Sequence, residues 1–401
     1  MTYDVDELRT HFPSLRSGVA HFDGPGGTQT PREVGEAIAT VLTAPLSNRG
    51  TLAVSEANAD AAVAAFRSAC SDLLGVPAHG IVHGRSATQL TYDLSRAIAK
   101  DWRPGEEVVV SRLDHDANVR PWVQAAERAG LTLRWIDFDP ATGELDEDSV
   151  GAALTPRTRL VALTAASNLI GTRPPVRAIA DAAHAVGAQV WVDGVHYAAH
   201  GFVDVPALGA DFFVCSPYKF LGPHCGVLAA APDLLESLHP DKLLPSTEAV
   251  PERFELGTLP YEQLAGVAAA VDFLAGIADQ NAPTRRERLR QAWAATEAHE
   301  VRLRERIQDG LRGLGDAVLV HSLAADRTPT LLLSLPGRRT ADAARFLAAR
   351  DVLAPAGSFY AYEPFRRLAL DDDGGLRLGL APYSTDDDVD RVLGGLRAFL
   401  S

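Results

Sequence analysis

The chain has 401 residues, 46% hydrophobic and 22% charged, with a formal net charge of -14. That length exceeds one typical core and predicts two domains, and the composition excludes wholesale disorder. The negative charge disfavours nucleic acid or an anionic membrane as partner but leaves a small anionic ligand open, because a local pocket can oppose the global field.

Three cysteines, Cys70, Cys215 and Cys225, form neither a disulfide framework nor a CxxC pair, which points to a reducing, cytoplasmic setting. The opening Met1-Thr-Tyr-Asp-Val-Asp-Glu7 lacks the basic and apolar regions of a secretion signal, and no apolar run reaches the length of a membrane span. A short polar helix is predicted over 4–11. The turn cluster His21-Phe-Asp-Gly-Pro-Gly-Gly27 then has enough glycine to bring backbone close to a ligand. Helices follow over 31–42 and 55–74, where alanine is dense and apolar residues recur at helical spacing.

The stretch Gly80-Ile-Val-His-Gly84-Arg85-Ser86-Ala87-Thr88 reads as a strand running into a helix start. Free backbone N–H groups there, with Ser and Thr hydroxyls, suit an anion, although an ordinary N-capped helix has the same pattern. It is neither GxGxxG nor GxxxxGK[ST], which weakens a nucleotide reading. Strands over 107–111, 131–136 and 159–163 alternate with helices over 117–129, 146–153 and 176–186. That alternation implies an α/β fold, a three-layer core with a mostly parallel sheet.

Two further apolar runs end in polar residues, 188–192 at Asp193 and 211–215 at Ser216 and Lys219. Ligands gather at the carboxyl ends of parallel strands, so Asp193 and Lys219 are expected to face one crevice. After Pro251 the character changes. Long helices over 264–278 and 285–314, short strands over 330–334 and 376–380, and helices over 341–350 and 387–400 suggest a smaller α+β domain. The expected division is a large domain over 16–260 and a small one made of 1–15 and 261–401.

A lysine and a carboxylate at neighbouring strand ends, downstream of a helix-start anion site, suit pyridoxal 5'-phosphate. Lys219 would hold it as a Schiff base, and Asp193 would keep its ring nitrogen protonated. Ser86, Ala87, Thr88 and Ser216 would cradle the phosphate. Two rivals are weaker. Ser216-Pro-Tyr-Lys219 matches the SxxK of acyl enzymes without their other motifs, and Asp193, His196 and His200 have metal-ligand spacing without an HExxH helix, so no metal is expected.

Further segments align in order: Asp114-His115-Asp-Ala-Asn118-Val-Arg-Pro-Trp122, Ser167-Asn168-Leu-Ile-Gly171, Val192-Asp193-Gly-Val-His196, Ser216-Pro-Tyr218-Lys219, Glu255-Leu-Gly257-Thr258, Leu376-Arg377-Leu-Gly-Leu380 and Asn48-Arg49-Gly50. Through them nearly the whole chain resembles the class V aminotransferase-fold enzymes, and most of all the cysteine desulfurase-like and selenocysteine lyase-like branch. The resemblance implies fold type I, a homodimer with a shared active site and a small amino-acid substrate. His115 would stack on the cofactor ring, with Asn168 beside the cofactor and the substrate carboxylate. His196 stands in place of a glutamine at the phenolic oxygen, where it can bond and also titrate near neutral pH. Tyr218 replaces a phosphate-binding histidine. Thr258 would reach the phosphate of a partner subunit, Arg377 would clamp the α-carboxylate, and Arg49 would sit on an active-site loop.

One departure concerns the reaction. Desulfurases carry a loop cysteine shortly before the carboxylate-binding arginine, whereas here the stretch is Ala356-Gly-Ser358-Phe359-Tyr360-Ala361. A persulfide-forming desulfurase is therefore disfavoured. The expectation is a lyase that breaks the C–S bond of cysteine or an S-substituted cysteine through a quinonoid. In it Lys219 moves the α-proton, and Tyr360, His115 or His196 assist as acid or base. An aminotransferase or epimerase shares every step to the quinonoid and is the alternative.

Overall fold

The computed structural model describes residues 3–277, 282–370 and 374–401. Its strands are β1 (Ala20–His21), β2 (Ile81–Gly84), β3 (Glu107–Ser111), β4 (Thr132–Ile136), β5 (Thr158–Thr164), β6 (Gln189–Asp193), β7 (Phe212–Cys215), β8 (Gly226–Ala230), β9 (Leu319–Val320), β10 (Thr330–Ser334), β11 (Val352–Leu353), β12 (Ala356–Gly357) and β13 (Gly375–Gly379).

Seven strands form the central sheet in the order β2-β8-β7-β6-β5-β3-β4. All neighbours from β7 to β4 are parallel, whereas β8 runs antiparallel to both β7 and β2. Strands buried on both faces read as continuous apolar runs, and the alternation appears only in which layer each side chain joins. Val109, Val161, Val190, Val192 and Phe213 enter one apolar cluster, beneath the helices Val54–Leu74 and Tyr261–Gly276. Val108, Leu160, Trp191, Phe212 and Val214 enter the other, beneath the helices Ala87–Ile98 and Arg120–Ala129. The expected three-layer α/β core is therefore present, with one unforeseen strand. β8 lies close behind the lysine turn.

A second, antiparallel sheet of order β12-β13-β10-β9 packs Leu331, Leu333, Leu376 and Leu378 against Leu303, Ile307, Val392 and Leu396. The apolar clusters do not divide at residue 260. The helix Tyr261–Gly276 packs on the helices Arg32–Thr43 and Val54–Leu74, and its Leu264, Val267 and Val271 belong to the large-sheet cluster. The change of core falls within the helix Arg285–Arg312, where Leu289 and Trp293 join the first cluster and Leu303, Ile307 and Leu311 the third. Phe12 and Leu15 likewise pack with the large sheet, while Ala20 and Phe22 join the small one. A composition change marks where helices begin, not which sheet they cover.

The predicted helix over 117–129 opens as a 3-10 turn, Asp116–Asn118, and becomes α-helical at Arg120. The expected helix end at residue 278 lies outside the described residues. Strands β1, β9, β11 and β12 have two residues each, too few for alternation to register. Among the described residues no helix is long and apolar enough to cross a membrane.

Candidate active site

The carboxyl ends of β5, β6 and β7 lie side by side, with Thr164 in register with Asp193 and Asp193 with Val214. Asp193 closes β6, and Gly194 turns the chain directly over the next strand. A Cβ on Gly194 would lie 1.9 Å from the Phe213 ring, so only glycine fits there. The turn aims the Asp193 carboxylate into the crevice, where Oδ1 accepts the Val195 N–H at 2.8 Å. β7 ends at Cys215, and one 3-10 turn, Pro217–Lys219, buries the lysine.

The glycine-rich segment near the N-terminus holds that turn from outside. The Thr28 N–H donates to the Tyr218 carbonyl at 2.9 Å, and the Leu221 N–H donates to Thr28 Oγ1 at 2.9 Å. A Cβ on Gly27 would press on the Tyr218 ring at 3.3 Å. The close backbone approach expected of this cluster is real, though it is made to the lysine turn.

Ser86, Ala87, Thr88, Ser216 and Tyr218 line a cavity at these strand ends. Ser86 caps the helix Ala87–Ile98 by accepting the Gln89 N–H at 3.1 Å, and first-turn amides ahead of it have no intrahelical partner. His115, Asn168, Asp193, His196 and Lys219 line the same cavity. Ten residues scattered over 134 positions of sequence thus meet in one hollow. Thr164 and Val195 also line it. The strand-end rule could have found Thr164, which closes β5 as Asp193 closes β6.

Burial governs the charges. It pushes the Lys219 ammonium down to about 8, with Arg377 adding to the shift and Asp193 opposing it. It raises Asp193 above the usual carboxylate range against the pull of the Val195 N–H and Lys219. His115 falls to about 3 through burial and the Lys219 and Arg377 cations, and its Nδ1 accepts the Ala117 N–H at 3.0 Å. The ring is therefore neutral, with its proton on Nε2.

His196 departs from expectation. Burial, then His200, Lys219 and Arg377, hold it well below the ordinary histidine value, so it does not titrate near neutrality. Its Nε2 lies 3.0 Å from both Thr328 and Thr330 hydroxyls, and its buried Nδ1 has no partner among the described residues. His200 Nδ1 pairs with Glu300 at 3.0 Å. Among the described residues no group of three or more His, Cys, Asp or Glu is placed to hold a metal ion.

Arg377 arrives from β13 in the smaller sheet. It is 3% exposed; its Nη1 donates to the Asn168 carbonyl at 2.9 Å, while its Nε and Asn168 Oδ1 are buried without partners. Burial lowers it to about 9. Tyr360 stands at the mouth, 78% exposed, its ring 5.8 Å from that of His115. Two predicted residues are elsewhere. Arg49 pairs with Asp60 at 2.6 Å and Glu252 at 3.1 Å, and Thr258 lines a separate hollow with His83, Arg85 and His224.

Residues 20–392 match the family described as Aminotransferase class-V. The chain belongs to that family. Similar proteins include an uncharacterized protein of Mycobacterium tuberculosis, 30% identical and covering 99% of both chains. A cysteine desulfurase of Klebsiella pneumoniae is also 30% identical, over 99% of this chain and 98% of its own. Among solved structures, the cysteine desulfurase CsdA of Escherichia coli superposes with a TM-score of 0.87 at 25% identity, covering 99% of this chain and 98% of that one. Members of this family use pyridoxal 5'-phosphate, and this class V chain is a pyridoxal-phosphate-dependent enzyme of fold type I.

The hollow fits that cofactor on its own chemistry. Unpartnered His196 Nδ1 and Asn168 Oδ1 are buried polar atoms that need a ligand to bond. A buried carboxylate with a raised pKa at Asp193 suits a protonated ring nitrogen. The helix start at Ser86 suits the phosphate, and among the described residues Lys219 has no carboxylate within ion-pair distance.

Proposed function

We propose that this enzyme cleaves the C–S bond of cysteine or an S-substituted cysteine without carrying the sulfur on a thiol of its own. The observation behind this reading is a desulfurase-like site with no usable cysteine. All three cysteines are buried, and burial raises each thiol: Cys70 and Cys215 well up, Cys225 to about 12. Relatives named as cysteine desulfurases support the C–S chemistry.

In this reading Ser86, Ala87, Thr88, Ser216 and Tyr218 hold the cofactor phosphate. His115 would cover the ring, Asp193 would keep its nitrogen protonated, His196 would bond its phenolic oxygen and Lys219 Nζ would carry it. When bound, the cofactor supplies an electron sink for charge developing at the substrate Cα. Arg377 and Asn168 fix the α-carboxylate in a dry site, where ion pairing is strong. Lys219, released by the incoming substrate amine, takes the Cα proton, its pKa of about 8 leaving a fraction of free amine at neutral pH. The Cβ–S bond then breaks, and the electron pair leaves with sulfur, which is protonated near the mouth. Near the mouth, neutral His115 offers its Nε2–H and Tyr360, stacked on it, its hydroxyl as hydrogen-bond donors to the leaving sulfur. With one water the products are a thiol, pyruvate and ammonium.

Thr258 and Arg49 serve the site only in a homodimer. Exposed Leu52, Leu243, Leu244 and Leu256 supply apolar surface for such a contact. The setting is the reducing cytoplasm, in keeping with three free thiols. An end-product screen over cysteine, S-substituted cysteines and common amino acids tests the reaction: pyruvate with sulfide or a thiol is expected. A new amino acid made from a keto-acid acceptor, without pyruvate, would replace lyase by transaminase. A fully active monomer in solution would refute the shared site.

A further inference from the structure

Arg377 is buried, and although Asp23 acts on it electrostatically, the described residues supply no carboxylate within ion-pair distance of it. Such a cation needs either an anionic ligand or a polarizable neighbour. The neighbour is Phe359: the guanidinium carbon lies 3.8 Å from the centre of its ring. With one face covered by that ring and Nη1 committed to the Asn168 carbonyl, the guanidinium keeps its Nε edge, whose hydrogen has no acceptor.

The backbone is bent out of its way to put the ring there. Phe359 and Tyr360 take φ of +56° and +55°, a left-handed conformation that bulky residues rarely adopt. It is held from three sides. Asn168 Nδ2 donates to the Phe359 carbonyl at 2.9 Å, the Asp116 N–H donates to the Tyr360 carbonyl at 2.8 Å, and the Ala361 N–H closes the turn onto Ser358 at 3.0 Å. Asn168 thus links both parts, accepting from Arg377 through its carbonyl and donating to the Phe359 backbone through its side chain. Strain kept in place by its surroundings is a mark of functional constraint.

We infer that Phe359 is a positioning residue that covers one face of Arg377, so that the substrate carboxylate meets the guanidinium edge-on and amino acids are selected over amines. This inference rests on the amino-acid reading of the site but not on the fate of the sulfur. An edge-on carboxylate makes parallel N–H···O bonds in the guanidinium plane, whereas an uncovered guanidinium could also take it out of plane or take water instead. Phe359 also packs against the apolar cluster that includes Leu113, Leu169 and Leu332, the last of them on β10 of the smaller sheet.

The test uses the holoenzyme and reads binding from the absorbance change of the bound cofactor, with alanine and ethylamine as probes because neither carries a leaving group. Phe359→Leu is expected to weaken alanine about thirtyfold, the size of a desolvated cation–π contact, and to leave ethylamine unchanged. Phe359→Tyr, which keeps the ring, restores the ratio. On a turned-over substrate the leucine variant raises KM more than it lowers kcat. Equal weakening of both probes, or an unchanged ratio, would overturn the inference. If the unaltered enzyme gives no absorbance change with any amino acid, it is the amino-acid reading that fails.

Discussion

The two walls of the active site are built differently. The inner wall consists of β5, β6 and β7 ends in a seven-stranded sheet, and Asp193, Ser216 and Lys219 there are all less than a tenth exposed. The outer wall is a two-residue strand followed by Ser358, Phe359 and Tyr360, with Ser358 and Tyr360 exposed. A parallel sheet buried on both faces fixes its strand ends within the packing of the whole core, so groups placed there hold a cofactor rigidly. A short surface segment can change without disturbing that core. In the proposed reading the cofactor belongs to the sheet, and the choice of reaction belongs to the segment.

If so, substitutions in the inner wall should outweigh those in the outer. Lys219→Ala should remove the covalently held cofactor's absorbance band and lower turnover by about 10⁴, the upper range for general-base loss. Asp193→Asn should retain folded protein and lower turnover by about 10²–10³, as for other preorganised electrostatic groups. A smaller drop would mean that the raised carboxylate contributes little. Gly194→Ala should cost about 1–3 kcal/mol in denaturant unfolding, because the new methyl must displace the Phe213 ring. Tyr360→Ala should leave the cofactor in place and lower turnover by no more than about tenfold, the scale of one aromatic contact. A larger loss would move the acid role to Tyr360.

The pH dependence of cofactor uptake sharpens the same contrast. The unprotonated amine reacts with the aldehyde, so uptake by the apoenzyme should rise with pH and level off above about 8, the depressed Lys219 value. An exposed lysine would keep rising toward about 10.4. His196 and His115 are neutral across this range and add no inflection.

The sequence by itself determined the inner wall. Apolar runs ending in Asp193 and Lys219, with Ser86 at a helix start, are local patterns, and parallel strands carry such patterns to one edge. It also determined what the loop lacks, since the composition of 356–361 holds no thiol. Only the tertiary structure decided the rest. β8 is invisible as a strand because it follows the lysine turn without a helix between. The covering of both sheets by one helix, Arg285–Arg312, defeats any boundary drawn from composition. His196 reads as a residue poised to titrate, yet burial, then His200, Lys219 and Arg377, keeps it neutral, and its hydroxyl partners Thr328 and Thr330 come from more than 130 residues away. Phe359 reads as an ordinary loop aromatic until β13 brings Arg377 beneath it. Burial and partners across such distances are set by packing, and no local spacing encodes them.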